Sequence, residues 1–351
     1  MLKPSTLEPS NFQFMRRCFD LARLGAGSVS PNPMVGAVLV FEGQIIGEGW
    51  HRKYGEAHAE VNCLASVSAE NQQLIPRSTL YCSLEPCFHF GKTPPCVDLI
   101  LEKKIPRVVV ANTDPNPLTA GKSLEKLRAA GVKVEAGILE EEGRWLNRVF
   151  FTWIAERRPF VILKLAQTSD GFMGRVGERT PISGAAMLRL VHRWRSESDA
   201  ILAGATTALT DNPRLDARLY FGKNPLRIVF DREGRIPPDF HLLDDSTETW
   251  VFGASREGNF SETKFFPTEG KVLIPSLLKQ LFEAGRASLL VEGGADVLSQ
   301  FLQENLWDEI RVVENSRRLG GGVAAPKVPN EAVLKKEFSI GDDTVRVFAK
   351  K

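Results

Sequence analysis

An alternation of short apolar runs with amphipathic segments, interrupted once, constrains this chain more than any other feature. Residues 35–41 (VGAVLVF) read as a strand, Glu42-Gly43-Gln44 as a turn and 45–49 as the returning strand. Met15, Cys18, Phe19 and Ala22 stand at i, i+3, i+4 and i+7, the spacing of a helix over 12–24. Further helices are expected from about Ala57, from Pro95-Cys96 to about Lys103, and over 122–130, closed by Gly131. Strands are expected at 78–83 and 107–111. A charged amphipathic run from Glu140 to Arg158 stops at Pro159, and the alternation restarts. Strands then read at 160–166, 199–204, 226–230, 249–252, 271–274 and 288–291, and helices at 184–196 and about 295–304. A hairpin follows around Gly341-Asp342-Asp343. Such alternation implies α/β units with a largely parallel sheet. The two stretches share no motif, so they read as two different domains, 1–150 and 151–351.

At 351 residues, 43% hydrophobic and 25% charged, the chain has material for two cores and is not disordered. Lys and Arg number 45 against 43 Asp and Glu, a formal charge of +2. That balance carries no footprint of nucleic acid or an anionic membrane. No apolar run approaches transmembrane length, and the N-terminus lacks the apolar core of a secretory signal. The five cysteines, an odd number, all lie in the first hundred residues. They read as reduced thiols, some on a metal, in a cytoplasmic protein.

The strongest chemical signal is His58-Ala59-Glu60 followed by Pro86-Cys87 and Cys96. One imidazole and two thiolates suit zinc, and three protein ligands leave a fourth position for water, which a catalytic zinc requires. Glu60 is the candidate proton shuttle. Residues two apart on a helix lie about 200° apart, so His58 and Glu60 reach one metal only if it sits off the helix N-terminus. Cys96 also stands at an expected helix start, where a thiolate is favoured over a thiol. A structural zinc site in an interaction protein would instead need a fourth ligand. A deaminase acting on RNA would be expected to carry basic runs interleaved with aromatics, and none occurs. In the second half, Glu292-Gly293-Gly294 between a strand and a helix is a weaker signal, a junction where phosphate could approach a helix N-terminus.

The stretch Leu84-Glu85-Pro86-Cys87-Phe88-His89-Phe90-Gly91-Lys92-Thr93-Pro94-Pro95-Cys96 resembles the bifunctional riboflavin-biosynthesis deaminase/reductases. Pro31-Asn32-Pro33, His58-Ala59-Glu60-Val61 and Asp114-Pro115-Asn116-Pro117 agree with that family in order. The resemblance implies a cytidine-deaminase-like α/β/α domain that binds zinc through His58, Cys87 and Cys96, with Glu60 moving protons. Asn32, His51, His89, Lys92, Thr93, Asp114 and Asn116 fall at positions that look like substrate contacts. Read singly, Asn32 is equally a turn residue beside proline, and Lys92 a solvated loop lysine. The implied substrate is 2,5-diamino-6-(5-phosphoribosylamino)pyrimidin-4-one, whose 2-amino group is hydrolysed.

The resemblance continues through Lys164-Leu165-Ala166, the run from Arg195 to Arg218, Arg227 to Asp231 and Glu292-Gly293-Gly294. It implies a dihydrofolate-reductase-like domain that uses NADPH to reduce the ribosyl group of 5-amino-6-(5-phosphoribosylamino)uracil to ribityl. Arg195 and Arg218 would hold the substrate phosphate, Leu215 would line its site, and Lys164 and Glu292 would sit near the ribose. Ala166, Thr207, Asp211 and the loop Gly293, Gly294, Ala295, Asp296, Val297 and Leu298 would face NADPH. Two departures stand out. Phe90 replaces a histidine common in the family, and Arg179 and Pro181 stand where Ser and Trp are usual. The implied partners are small phosphoribosylaminopyrimidines, with neither nucleic acid nor membrane. A homo-oligomer, dimer or tetramer, is compatible with the reading.

Overall fold

A computed structural model describes residues 9–88, 94–258, 260–268 and 274–351. The chain divides into two units between Arg157 and Arg158.

The first unit begins with helix α1 (Pro9–Arg23) and the hairpin β1 (Gly36–Phe41) and β2 (Gln44–Trp50). Then come α2 (Ala59–Ala65), β3 (Thr79–Leu84), α3 (Cys96–Glu102), β4 (Arg107–Asn112), α4 (Lys122–Ala129) and β5 (Lys133–Ala136). Helices α5 (Glu140–Leu146) and α6 (Arg148–Glu156) close it. The sheet order is β2-β1-β3-β4-β5. The antiparallel β1–β2 pair is the expected hairpin, but the expectation of an otherwise largely parallel sheet needs correction: β1 also runs antiparallel to β3, and only β3-β4-β5 are parallel. The short turn at Glu42-Gly43 imposes the first reversal.

Both faces of this sheet are covered, which is why its central strands are apolar without alternation. On β4, Val108 and Val110 join the core with Cys63 of α2, Ile100 of α3 and Leu127 of α4. Val109 and Ala111 point the other way, to Met15 and Cys18 of α1 and Leu146 of α5. Cys63 and Cys82 are core residues, and burial pushes both thiols up. The charged run after Glu140 is two helices broken at Asn147. The side chain of Asn147 accepts the N–H of Met34 (2.9 Å) and donates to its carbonyl (2.9 Å).

The second unit contains β6 (Phe160–Thr168), β7 (Phe172–Gly174), α7 (Ala185–Glu197), β8 (Ala200–Gly204), α8 (Ala205–Asp211) and β9 (Leu226–Asp231). There follow β10 (Thr249–Gly253), β11 (Thr263–Pro267), α9 (Ile274–Glu283), β12 (Ser288–Val291), α10 (Ala295–Gln303) and β13 (Glu309–Asn315). Last come β14 (Val323–Ala324), β15 (Val333–Ile340) and β16 (Asp343–Ala349). The main sheet, β11-β10-β9-β8-β12-β6-β13-β16-β15, is parallel from β11 to β13 and ends in the antiparallel tail hairpin. Of the strand expected at 271–274, residues 271–273 lie outside the described residues. Ile274 opens a helix instead, because Ile274, Leu277, Leu278 and Leu281 share one buried face. Among the described residues, no helix is long and apolar enough to cross a membrane.

Candidate active sites

In the first unit, the ends of three elements converge. His58 is the N-cap of α2, in extended backbone, and Glu60 lies in the first turn. Cys87 follows β3, and Cys96 opens α3. The ligand atoms of His58, Cys87 and Cys96 lie within 4.8 Å of one another. Each sulfur is 3.4 Å from His58 Nδ1, and the Cys96 N–H donates to Cys87 Sγ at 3.2 Å. Hydrogen bonding from the Cys96 thiol, aided by His58, holds Cys87 well below the usual thiol range. The same bond, with burial and the nearby Glu60, pushes Cys96 up. Among the described residues this donor set has three members, one already inclined to thiolate. That chemistry fits zinc with an open position.

Two features hold the ligands in place. Glycines 47 and 49 let α2 lie directly on β2: a Cβ on Gly49 would meet the Cys63 backbone nitrogen at 2.2 Å and the Ala59 carbonyl at 2.6 Å. The second is Glu85, to which the sequence reading gave no role. Its carboxylate accepts the N–H groups of Asp114 (3.1 Å), Gly121 (2.9 Å), Ser123 (3.2 Å) and Leu124 (3.4 Å). Ser123 Oγ also donates to the Pro86 carbonyl (2.6 Å), tying the Cys87 segment to the start of α4.

A cavity of about 320 Å³ opens at this cluster, lined by Asn32, His51, His58, Glu60, Cys87, Asp114 and Asn116 among others. Glu60 is 3% exposed, and burial followed by the Cys87 charge raises its pKa. His51 Nδ1 meets the Ala57 carbonyl (3.1 Å), which can only accept, so Nδ1 carries the proton. Nε2 then accepts from the Asn32 amide (3.2 Å), and burial keeps the ring neutral by lowering its pKa. Burial, then the nearby Glu85 and Cys87, raises Asp114 to about 6, although its carboxylate also accepts the Asn116 N–H (2.8 Å). Glu85, Tyr54 and Phe150 also line the cavity and were missed from sequence. His89, Lys92 and Thr93 lie outside the described residues.

In the second unit a cavity of about 1040 Å³ gathers Lys164, Ala166, Arg195, Thr207, Asp211, Leu215, Arg218, Glu292, Gly293, Gly294, Ala295, Asp296 and Val297. The pairing of Val291 with Leu163 brings Glu292, just past β12, beside Lys164 of β6; the two side chains are 3.8 Å apart. Arg195 of α7 closes a fork on the same carboxylate, at 3.0 and 2.9 Å, and donates to the Asp216 carbonyl (3.2 Å). Burial alone would push Glu292 up, but Arg195 and Lys164 outweigh it and hold the group at about 2. Arg195, expected with Arg218 at the substrate phosphate, turns its fork to Glu292, and the exposed Arg218 pairs with half-buried Asp216. His192, unnoticed in the sequence, also lines the cavity, and burial with Arg195 and Arg218 lowers it to about 4.

Gly294 is the N-cap of α10, with no side-chain cap on the helix's first N–H groups. A Cβ on Gly293 would stand 2.7 Å from that of Val297, and one on Gly204 2.9 Å from Val297 Cγ2. Bare backbone thus meets a helix start, a cradle that fits the phosphates of a dinucleotide. Leu298, expected to face NADPH, is fully buried in the core with Phe301 on the inner face of α10 and does not line the cavity. Arg179 and Pro181, which depart from the family's usual Ser and Trp, line the same cavity, and Arg317 donates to the carbonyls of Pro181 and Ile182.

Residues 9–112 match the model of the cytidine and deoxycytidylate deaminase zinc-binding region, and residues 159–346 that of the RibD C-terminal domain. The riboflavin biosynthesis protein RibD of Aquifex aeolicus is 38% identical over 350 residues, covering 95% of this chain and 97% of that protein. The RibD of Escherichia coli strain K12 is 34% identical over 331 residues, covering 88% of each. Among solved structures, the diaminohydroxyphosphoribosylaminopyrimidine deaminase/5-amino-6-(5-phosphoribosylamino)uracil reductase of Thermotoga maritima superposes with a TM-score of 0.89 at 35% identity. That match covers 97% of this chain and 99% of the other. A deaminase-type zinc cluster and a reductase-type cavity in one chain, matched along nearly its whole length, place it in the RibD family of bifunctional riboflavin-biosynthesis deaminase/reductases.

Proposed function

We propose that the first unit hydrolyses the 2-amino group of 2,5-diamino-6-(5-phosphoribosylamino)pyrimidin-4-one. On the same proposal, the second reduces the ribosyl group of the resulting 5-amino-6-(5-phosphoribosylamino)uracil to ribityl with NADPH. The observation that carries this reading is the buried Glu60 carboxylate on the same cavity as His58 and Cys87 of the three-ligand cluster. His58, Cys87 and Cys96 would hold zinc, which when bound supplies a Lewis acid that makes water a nucleophile at neutral pH. Glu60 takes a proton from the attacking water and returns it to the departing amine, so that a C–O bond forms, the C–N bond breaks and ammonia leaves. The Asn32 amide, neutral His51, Asp114 and Asn116 supply donors and acceptors for the pyrimidine edge. His89, Lys92 and Thr93 are proposed as further contacts to this substrate.

In the second unit, Ala166, Thr207, Asp211 and Gly293 to Val297 would hold NADPH, which when bound supplies the hydride. Lys164 and the ionised Glu292 form a charged pair for the ribose hydroxyls. Arg195 orients Glu292, and Arg218, with Leu215 beside it, is left to meet the substrate phosphate. The free thiols support a reducing, cytoplasmic setting. The test is a coupled assay on protein of measured zinc content. Ammonia release from the diaminopyrimidine must precede NADPH consumption on its product, and failure of either step contradicts the proposal.

A further inference from the structure

Strand β13 carries an ion pair inside the second unit that no step above uses. Arg311 Nε donates to the Glu309 carboxylate at 2.6 Å, and both residues are buried. Ile310 and Val312 enter the core with Leu163 and Leu165 of β6, so Glu309, Arg311 and Lys164 face the opposite side of the sheet. On that side the Arg311 guanidinium lies over the Trp194 ring of α7, 4.7 Å from its centroid. Stability alone is a poor reason for such a pair, because well-packed apolar side chains of similar volume are often as stable or more so.

Its place in the sheet is specific. Arg311 stands opposite Lys164, and Val291, the residue before Glu292, stands opposite Leu163. Glu292, Lys164 and Arg311 therefore form a row at the positions of β12, β6 and β13, about 4.8 Å apart. Lys164 has a carboxylate on one side and a guanidinium on the other. Two cations this close in a low-dielectric interior repel, which turns the Lys164 ammonium away from β13 and towards Glu292, 3.8 Å away. Glu309 engages Arg311 from its own strand, leaving Glu292 to Lys164 and the Arg195 fork. Trp194 directly precedes Arg195, so the stacked guanidinium also braces the turn of α7 from which that fork reaches.

We propose, on the reading of this unit as a reductase, that Arg311 is a positioning residue for its reaction, directing Lys164 to Glu292 and anchoring α7 behind Arg195. The described residues that line the cavity include Lys164, Arg195 and Glu292 but not Arg311, which acts through them.

The test exchanges the pair, Glu309→Arg with Arg311→Glu, in the full chain. The exchange keeps one acid and one base buried on β13 but sets a carboxylate beside Lys164, in competition with Glu292. On supplied 5-amino-6-(5-phosphoribosylamino)uracil, kcat/KM for the pyrimidine should fall by about tenfold or more, while the Kd of NADPH, followed by the cofactor's fluorescence, stays within about twofold. The pair Glu309→Gln with Arg311→Met keeps the volume without the charges and should show the same loss. Arg311→Lys keeps a cation beside Lys164 and should recover part of the activity. Wild-type kcat/KM in either double variant, or a parallel loss of NADPH binding, would overturn the assignment. Failure of both double variants to fold would make the pair purely structural and overturn it as well. Absence of NADPH oxidation in the wild type would overturn the reductase reading on which it rests.

Discussion

Glu60 is buried in the first turn of the helix capped by His58 and lines the cavity, and on the proposed reading its carboxylate exchanges protons there. Glu60→Gln keeps the shape and removes the base. We expect it to lower ammonia release by about 10²–10⁴-fold, the usual scale for a general acid/base, with zinc content unchanged. At the second site two groups fix a pH dependence. His192 is held at about 4 and Glu292 at about 2, both below their ordinary values of 6.5 and 4.5. In each case the unfolded chain binds protons more readily, so the contribution present at neutral pH is lost on acidification. Local stability of residues 158–351, followed by hydrogen exchange, should fall as pH drops from 6.5 towards 4 and again from 4.5 towards 2. His192→Asn should flatten only the first fall. The motif residues of the zinc cluster were legible because they come as short local words. The Arg195–Glu292 fork was not: its partners lie 97 residues apart, and nothing local marks either as the other's counter-charge.

Among the elements, placement of the zinc ligands depends on close backbone approach. Helix α2 lies on β2 without a side chain between them at Gly49, so Gly49→Ala must push the helix away from the sheet. We expect about 1–3 kcal/mol of destabilisation from the added methyl, together with weaker zinc retention in competition with a chelator. Unchanged zinc affinity would contradict the claim that this contact positions His58. Glu85→Gln should act on the other ligand segment, since an amide cannot accept four N–H groups on two oxygens. About tenfold weaker zinc binding is expected, the lower end for supporting groups around a metal. Helix starts at His58 and Cys96 could be read from sequence, because the apolar spacing begins there. The break at Asn147 could not: the clamp on Met34 is a tertiary contact. Strand β13 was also missed, because its charged Glu309 and Arg311 are buried as an ion pair of 2.6 Å and mask the apolar pattern.

Taken whole, the chain is two α/β units with separate cores, each holding its own site. The alternation of strands and helices revealed this architecture, and Pro159 marked where it restarts. The direction of β1 relative to β3 needed the structure, because an apolar run buried on both faces looks the same in either orientation. Two sites in one chain, with one product feeding the next reaction, form the central claim. It is tested most directly by measuring both activities on one preparation of Glu60→Gln. Ammonia release from the diaminopyrimidine should fall by about 10²–10⁴-fold, while NADPH oxidation on supplied 5-amino-6-(5-phosphoribosylamino)uracil should stay at the wild-type rate. Equal loss of both activities in this variant, with its fold and zinc content intact, would contradict the two-site account.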